Sequence, residues 1–372
     1  MPLRLPFDVM SSHSSSYQSL AAQVAVRITA EIKSGTWQGW LPGERTLTDT
    51  LQVSRKTVRK ALAQLQRDGV LVTTHGLGHQ IVGSRSAAPT PRADLSIGLL
   101  TPESIENLRP YTALWVDELR ALLFENGVRL ATFSGHRFFN TRPENALGRL
   151  VQQNPQTAWV LAHTNGPIQQ WFSDQRVPCV IAGSCHPGHE LPNVDKDNFA
   201  CCRHAAGAML RHGHRRIAFL TRQSQRAGDI ESEAGFTDAL RRSCHRNVEP
   251  VIMRHDGTVA GVNRLLARLF NQPAPPTALL VANPVYYLSA ITFLAQCSLR
   301  VPQDVSLVSR DDDTFLTYLT PEPTRYSLNA KTYAKRLLYP LQSLLRGDPV
   351  THPVHRIDPV FAPGASLATV KS

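Results

Sequence analysis

The residues with the most obvious chemistry in this chain are cations. Arg55, Lys56, Arg59 and Lys60 crowd together inside the stretch LPGERTLTDTLQVSRKTVRKALAQLQRDGVLVTTHGLGHQIV at residues 41–82. Ser54, just before them, is a good N-cap: its oxygen can accept from the free N–H groups of a helix running to about Asp68. Val58, Leu62 and Leu65 recur at i, i+4 and i+7, which gives that helix an apolar stripe and leaves the cations on the opposite face. A helix N-terminus is already partly positive, so cations gathered there cost helix stability. A polyanion bound at that end would offset the cost. A basic helix face alone is as often plain solvated surface, so the neighbouring elements decide.

Those neighbours form a set. Thr46 to Leu51 reads as a short helix with Leu47 and Leu51 on one face, and Gln52-Val53 as the turn into the cationic helix. Gly69 ends that helix. Val70 to Thr73 and Gln80 to Val82 read as strands around the tip His75-Gly76-Leu77-Gly78-His79. This is a winged helix-turn-helix, whose second helix lies in the major groove of double-stranded DNA. The stretch closely resembles the reader of the GntR family of bacterial repressors. The family's P-x-E-R stands as Pro42-Gly43-Glu44-Arg45, its S-R-x-T-V-R-x-A-L as Ser54 through Leu62, and its wing as Leu71 through Gly78. The resemblance covers residues 17–83. It implies DNA contacts from Arg45, Thr46, Ser54, Arg55, Lys56, Thr57 and Arg59, with the wing tip His75-Gly76 in the minor groove.

Composition sets the wider bounds. A chain of 372 residues is too long for one core, so two or three domains are expected. Its 42% hydrophobic and 19% charged residues suit a soluble globular protein. A net charge of +11 and a pI near 9.7 favour an anionic partner. No apolar run approaches the roughly 18 residues of a spanning helix, and MPLRLPFDVM has no continuous apolar signal segment. No membrane association is expected, and the location expected is the bacterial cytoplasm, at the nucleoid. Six cysteines in a chain this long read as reduced thiols.

Residues 1–16, ending in SSHSSS, read as a loose tail. Tyr17 to Lys33 opens the reader as an amphipathic helix carrying Leu20, Val24, Ile28 and Ile32. Residues 84–94, small and proline-containing, read as a flexible linker that tethers the reader. From 95 to 372 the pattern changes to alternating strands and helices. Leu95–Leu100, Val128–Phe133, Ala158–Ala162 and Val177–Ala182 are strands, with helices at Ala113–Asn126, Pro143–Gln153 and Pro167–Asp174 between them. A second series starts at Asp197. Its strands are Arg216–Thr221, Val248–Met253, Ala278–Ala282 and Ser306–Ser309; its helices are 198–211, Glu233–Arg242, Val259–Phe270 and Val285–Cys297. Strict alternation implies parallel sheets covered by helices on both faces. The fold class expected is α/β: two lobes, each a doubly wound parallel sheet, behind the winged helix-turn-helix. Ligands of such sheets sit beyond the carboxyl ends of the strands.

This half resembles the effector domain of the LacI/GalR family, which has the periplasmic-binding-protein fold. Val194-Asp195-Lys196-Asp197-Asn198 and Arg211 through Leu220 match the family's V-D-N and L-G-H-R-x-I-A-F-I, and Leu299 through Val308 match its L-x-V-P-x-D-v-S-v-v. A GntR reader joined to such a sensor is the arrangement of bacterial arabinose repressors. The resemblance implies a pseudo-palindromic operator bound by a homodimer, and a small polar, sugar-like effector that closes the lobes and changes the spacing of the readers. Thr101, Tyr111, His163, Asn283, Arg310 and Asp311 fall on loops that would face the cleft. The family's clamp is incomplete. Ser232 stands where an Arg lies three residues before Gly235-Phe236, Pro284 stands where an Asp follows Asn283, and Ser309-Arg310 replaces a Gly before the final acids. Arg and Asp make the bidentate bonds that hold sugar hydroxyls, so their loss weakens the case for a simple sugar.

Other chemistry finds less support. Cys179, Cys185, His186, His189, Cys201, Cys202 and His204 lie near one another in sequence, but in no tetrahedral zinc spacing. Neither a metal nor a cofactor is expected. A pyridoxal-phosphate-dependent half, which some GntR proteins carry, needs a Schiff-base lysine. Beyond residue 95 only Lys196, Lys331, Lys335 and Lys371 are available, none in a recognisable cofactor setting. The chain is therefore not expected to be an enzyme. A third reading, a DNA-binding protein whose sensor has lost its ligand, follows from the damaged clamp.

Overall fold

The structure, a computed structural model, describes residues 20–33, 36–37, 41–74, 78–81, 95–244, 248 and 250–370. The chain divides between residues 92 and 93 into two units. The expected tail at 1–16 and linker at 84–94 lie outside the described residues, as does the wing tip His75-Gly76.

In the first unit, helices α1 (Leu20–Lys33), α2 (Glu44–Leu51) and α3 (Arg55–Arg67) precede a hairpin of β1 (Leu71–Thr74) and β2 (Gly78–Ile81). Ile28, Leu47, Val58, Leu62, Leu65 and Leu71 meet in one core. Gln52 closes α2 in the left-handed conformation, with φ 54° and its N–H on the carbonyl of Thr48. A residue with a Cβ strains there, but the tight reversal lets α3 start three residues later. Ser54 caps α3 by accepting from the Thr57 N–H at 3.2 Å. The hairpin is antiparallel, Leu71 opposite Ile81 and Thr74 opposite Gly78.

The second unit begins with β3 (Ser96–Thr101), α4 (Pro110–Glu125), β4 (Arg129–Ser134), α5 (Glu144–Gln153), β5 (Ala158–Ala162), α6 (Gly166–Asp174), β6 (Cys179–Ala182) and β7 (Asn193–Lys196). It continues with α7 (Asn198–Arg211), β8 (Ile217–Arg222), α8 (Ala227–Arg241), β9 (Val251–His255), α9 (Val259–Phe270), β10 (Ala278–Val281), α10 (Pro284–Gln296) and β11 (Ser306–Ser309). It ends with β12 (Thr324–Ser327), α11 (Ala330–Arg346), β13 (Val354–Ile357) and β14 (Val360–Ala362). The strands form two sheets, ordered β13-β7-β6-β5-β3-β4 and β14-β12-β11-β10-β8-β9. Pairing is parallel apart from β12 with β14. Strands such as Ala158–Ala162 are buried along their whole length, as expected where helices cover both faces. Two close approaches need glycine. A Cβ on Gly98 would sit 2.6 Å from the ring of Trp159 in the neighbouring strand, and one on Gly235 would meet the Phe199 carbonyl at 2.1 Å, where α8 lies against α7.

The two series are less separate than their order along the chain suggests. After β12 the chain returns to the first lobe, where Tyr333, Leu337 and Leu341 of α11 pack with Leu99 and Val160. There β13 completes the first sheet, Val354 opposite Asn193, before β14 pairs with β12 in the second. Among the described residues the chain therefore passes between lobes at 196–198, 327–330 and 357–360. One boundary matters for the site. The helix expected from Glu233 begins at Ala227, so Asp229 and Ser232 sit on α8 and its first turn faces the cleft. The polar run SQRAGDIE hid this from hydrophobic periodicity.

Candidate functional site

In the reader, Val58, Ala61, Leu62 and Leu65 are buried while Arg55, Lys56 and Arg59 are exposed. Arg45 and Thr46, in the first turn of α2, are exposed as well. Ser54 is exposed and Thr57 half-buried, their hydroxyls 2.8 Å apart. The Arg59 Nε–H donates to Glu44 at 2.8 Å, which ties the start of α2 to the first turns of α3. The expected DNA contacts of both helices therefore share one solvated, cationic end.

In the second unit a cavity of about 250 Å³ opens between the two lobes. Tyr111, His163 and Tyr333 line it from one lobe, and Arg226, Asn283 and Arg310 from the other. His163, Asn283 and Arg310 each follow a strand's carboxyl end, after β5, β10 and β11, where the fold directs ligands. Of the six residues expected at the cleft, five line this cavity. Thr101 does not: its hydroxyl donates to the Glu103 carbonyl at 2.7 Å and closes the turn after β3.

Asp311 is the hub of the charges. The Arg109 Nη1–H donates to it at 2.8 Å, Arg310 Nη2–H at 3.2 Å, and the Lys196 ammonium touches its other oxygen. Arg109 is the N-cap residue of α4 and Lys196 ends β7, so this carboxylate bridges the lobes. A second bridge joins Glu231 of α8 to Arg356 of β13 and to the Ser184 hydroxyl, each at 2.7 Å. Arg310 also donates to Asp229 at 3.1 Å and to the Ser232 hydroxyl at 2.8 Å. Ser232, which stands where the resemblance implies an arginine, thus has the Arg310 guanidinium against its hydroxyl.

Burial, with help from Arg226 and Arg109, pulls His163 down to about 3, so its imidazole is neutral at physiological pH. Burial, with the Arg310 charge, brings Lys196 down to about 8, which leaves it charged against Asp311 at neutral pH. Burial is the largest influence on Asp229 and would raise it, but the Arg310 and Arg226 charges with hydrogen bonds from Ser224 and Arg310 together hold the carboxyl below its ordinary value. Burial raises the Tyr111 phenol. Among the described residues the Tyr111 hydroxyl and the Arg310 Nε–H are buried without a hydrogen-bond partner.

Sequence reading missed Arg109, Lys196, Arg226 and Asp229 as parts of this site. Arg109 precedes a proline at a helix start, and Lys196 lies in a segment already singled out, but nothing local points to carboxylates more than a hundred residues away. Cys179 is buried, its thiol pushed up to about 12 by burial. The Cys185 thiol donates to the His189 carbonyl at 3.3 Å. Among the described residues no group of three or more His, Cys, Asp or Glu side chains could hold a metal. No described helix is long and apolar enough to cross a membrane.

A winged helix-turn-helix and a two-lobed domain with a polar cleft thus stand on one chain. Residues 20–81 match the bacterial regulatory proteins of the gntR family, and residues 206–367 match the periplasmic binding protein-like domain family. The chain joins a GntR-type DNA-binding domain to a periplasmic-binding-protein-like effector domain. It is 30% identical over 203 residues to the HTH-type transcriptional regulator AglR of Rhizobium meliloti, covering 50% of this chain and 56% of the relative. The chain thus spans about half of AglR's length. It is 24% identical over 295 residues to the arabinose metabolism transcriptional repressor of Geobacillus stearothermophilus, covering 74% of this chain and 77% of that one. A solved LacI-type putative regulator from Bacillus cereus subsp. cytotoxis superposes with a TM-score of 0.63 at 19% identity, over 74% of this chain and 98% of its own, a likeness of fold.

Proposed function

We propose that this chain is a non-enzymatic transcriptional repressor that binds a pseudo-palindromic operator in double-stranded DNA as a homodimer. It releases the operator when a small polar metabolite fills the inter-lobe cleft. Residues 17–83 are the reader, 84–94 the linker and 95–372 the sensor and dimerisation half. The observation that carries this reading is the exposed cationic end of α2 and α3 in a GntR-type domain, on the same chain as a periplasmic-binding-type cleft. Arg45, Thr46, Ser54, Arg55, Lys56, Thr57 and Arg59 contact DNA, with His75 and Gly76 at the wing tip. Tyr111, His163, Asn283, Arg310 and Asp311 serve the effector, Arg310 and Asp311 chiefly by shaping the wall. The effector acts only through a difference in affinity for the operator-bound and free states. A DNA partner places the protein in the cytoplasm with the nucleoid.

The test is a titration of the full chain against DNA from upstream of its own gene, with sedimentation of the same samples. The expected result is a salt-sensitive, site-specific complex holding two chains per operator, weakened by a metabolite that also raises the melting temperature. A chain that stays monomeric on DNA, or binds every sequence alike, overturns the reading.

A further inference from the structure

Charge pairing in the cleft is unequal. The cavity wall carries five cations (Arg109, Lys196, Arg222, Arg226, Arg310) and four carboxylates (Asp195, Asp229, Asp311, Asp312). Every one of the four carboxylates has a partner. Asp311 is held by Arg109, Lys196 and Arg310, and Asp229 by Arg310. Asp312 pairs with Arg325, and Asp195 accepts from Ser184 and Asn198. Among the described residues Arg222 and Arg226 have no carboxylate within ion-pair distance, although the Asp229 charge acts on Arg226, and the Arg226 guanidinium lies 3.5 Å from the neutral His163 ring. Arg226 is half-buried and Arg222 exposed. Arg222 ends β8 and lies over Gly257, where a Cβ would come within 3.0 Å of its Nε. Arg226 is the N-cap residue of α8, a helix of 15 residues whose first turn, Ala227 to Asp229, is part of the same wall. The Asp229 N–H already donates to the Arg226 carbonyl at 3.1 Å, so among the described residues the opening donors of the helix are the Ala227 and Gly228 N–H groups, and such groups favour an anion. In the same wall, the Nε–H of Arg310, a residue only 8% exposed, is also without an acceptor.

We infer that the effector is an anion: a small hydroxylated molecule bearing a phosphate or carboxylate, its charged group held between Arg222, Arg226 and the first turn of α8. This rests on the regulator reading and narrows its ligand. Tyr111, whose hydroxyl lacks a partner, and Asn283, whose oxygen is committed to the Val285 N–H at 2.9 Å, face the remainder of the molecule. Two guanidiniums beside a helix N-terminus suit the planar fork of a carboxylate and the three oxygens of a phosphate equally. The shared chemistry is an oxyanion, and experiment must separate its sources.

The test uses thermal shift of the full chain, wild type against Arg226→Gln, Arg226→Lys and Arg222→Gln, with inorganic phosphate, glucose, gluconate and glucose 6-phosphate at constant ionic strength. The reader also attracts phosphate, so the informative quantity is the difference between wild type and variant. The expected result is a saturable rise in melting temperature with phosphate that is at least halved in both Gln variants and largely kept in Arg226→Lys. A larger rise with glucose 6-phosphate than with gluconate assigns a phosphate ester, and the reverse a carboxylate. Equal shifts in wild type and both Gln variants, or no saturable shift with phosphate, overturn the inference. So does glucose acting as strongly as its charged derivatives. The regulator reading survives those outcomes, because it fails only with the loss of specific operator binding.

Discussion

In the reader the cations stand in solvent: the Arg59 side chain is 69% exposed even though Glu44 reaches it. In the sensor the corresponding figure for Arg310 is 10%, and its guanidinium touches Asp229, Ser232 and Asp311. The reader's cations therefore keep most of their interaction energy for an outside polyanion, where each contact also releases counterions. The charges around Asp311 are instead paired inside the protein, where they hold one lobe to the other. Recognition by the first unit and integrity of the second should consequently respond to different substitutions, and that separation can be tested.

The largest effect expected comes from Asp311→Ala. It removes the carboxylate that Arg109, Arg310 and Lys196 share; Arg109 keeps Asp313 and Arg310 keeps Asp229, but Lys196 loses its ion-pair partner, and removing one partner of a buried pair costs about 3–5 kcal/mol. Hydrogen exchange should show the loss across β11 and the N-terminal turn of α4, with the protection of α3 unchanged. A loss below about 1 kcal/mol would mean that these charges are solvated in practice and that the contrast between the units is only apparent.

Arg55→Ala should do the reverse. The side chain is exposed, so stability should change by no more than about 0.5 kcal/mol, while operator discrimination falls by roughly 1–3 kcal/mol. Quantitative gel shift against operator and scrambled DNA measures the second figure, and thermal melting the first. Wild-type affinity in this variant would mean that α3 does not meet the bases.

Acid should separate the units less sharply. His163 titrates near 3 when folded, chiefly through burial, against an ordinary value of 6.5. Between these values the unfolded chain binds the extra proton, so the contribution of His163 is complete above about pH 6.5 and lost as pH falls toward 3. His255, lowered to about 4 mainly by burial, adds in the same direction. The sensor should thus weaken on acidification from pH 6.5 to pH 5 by on the order of 1 kcal/mol per unit per group. His163→Gln should flatten that slope in sensor peptides followed by hydrogen exchange, and leave reader peptides alone.

How much was legible in the sequence follows the same division. The reader's parts are local: Ser54 caps the helix that carries Arg55 and Arg59, and the whole set lies within one short stretch. Periodicity and capping act over such distances. The two parallel sheets were legible from alternation, and residues at strand ends, such as His163, Asn283 and Arg310, could be nominated from the fold rule alone. What stayed hidden depends on contacts made across the chain. Pairing of β13 with β7 joins residues 354 and 193, and Arg109 finds Asp311 across a gap of 202 residues. Short polar strands such as Asn193–Lys196 have too little apolar content to announce themselves, and a charged side chain carries no sign of which distant partner will neutralise it.

The smallest effect expected concerns the reader's own pair. Glu44 and Arg59 meet at 2.8 Å with 33% and 69% of their side chains exposed, and such pairs contribute roughly 0.2–1 kcal/mol. Glu44→Gln should therefore leave melting nearly unchanged and act on recognition instead. Held through its Nε, the Arg59 guanidinium keeps its outer N–H groups together for a bidentate partner. Released, it loses more rotamer freedom on binding. Removing a carboxylate from a face that meets phosphates also strengthens non-specific attraction. These effects oppose one another in absolute affinity, yet both lower the ratio of specific to non-specific binding. The expected outcome is a fall of a few-fold in that ratio at fixed salt, a larger fall for Arg59→Ala, and no further fall when Glu44→Gln is added to it. Additive losses in the double variant would show that Glu44 acts on DNA independently. In that case the exposed pair of the reader would have no positioning role comparable to the buried network around Asp311.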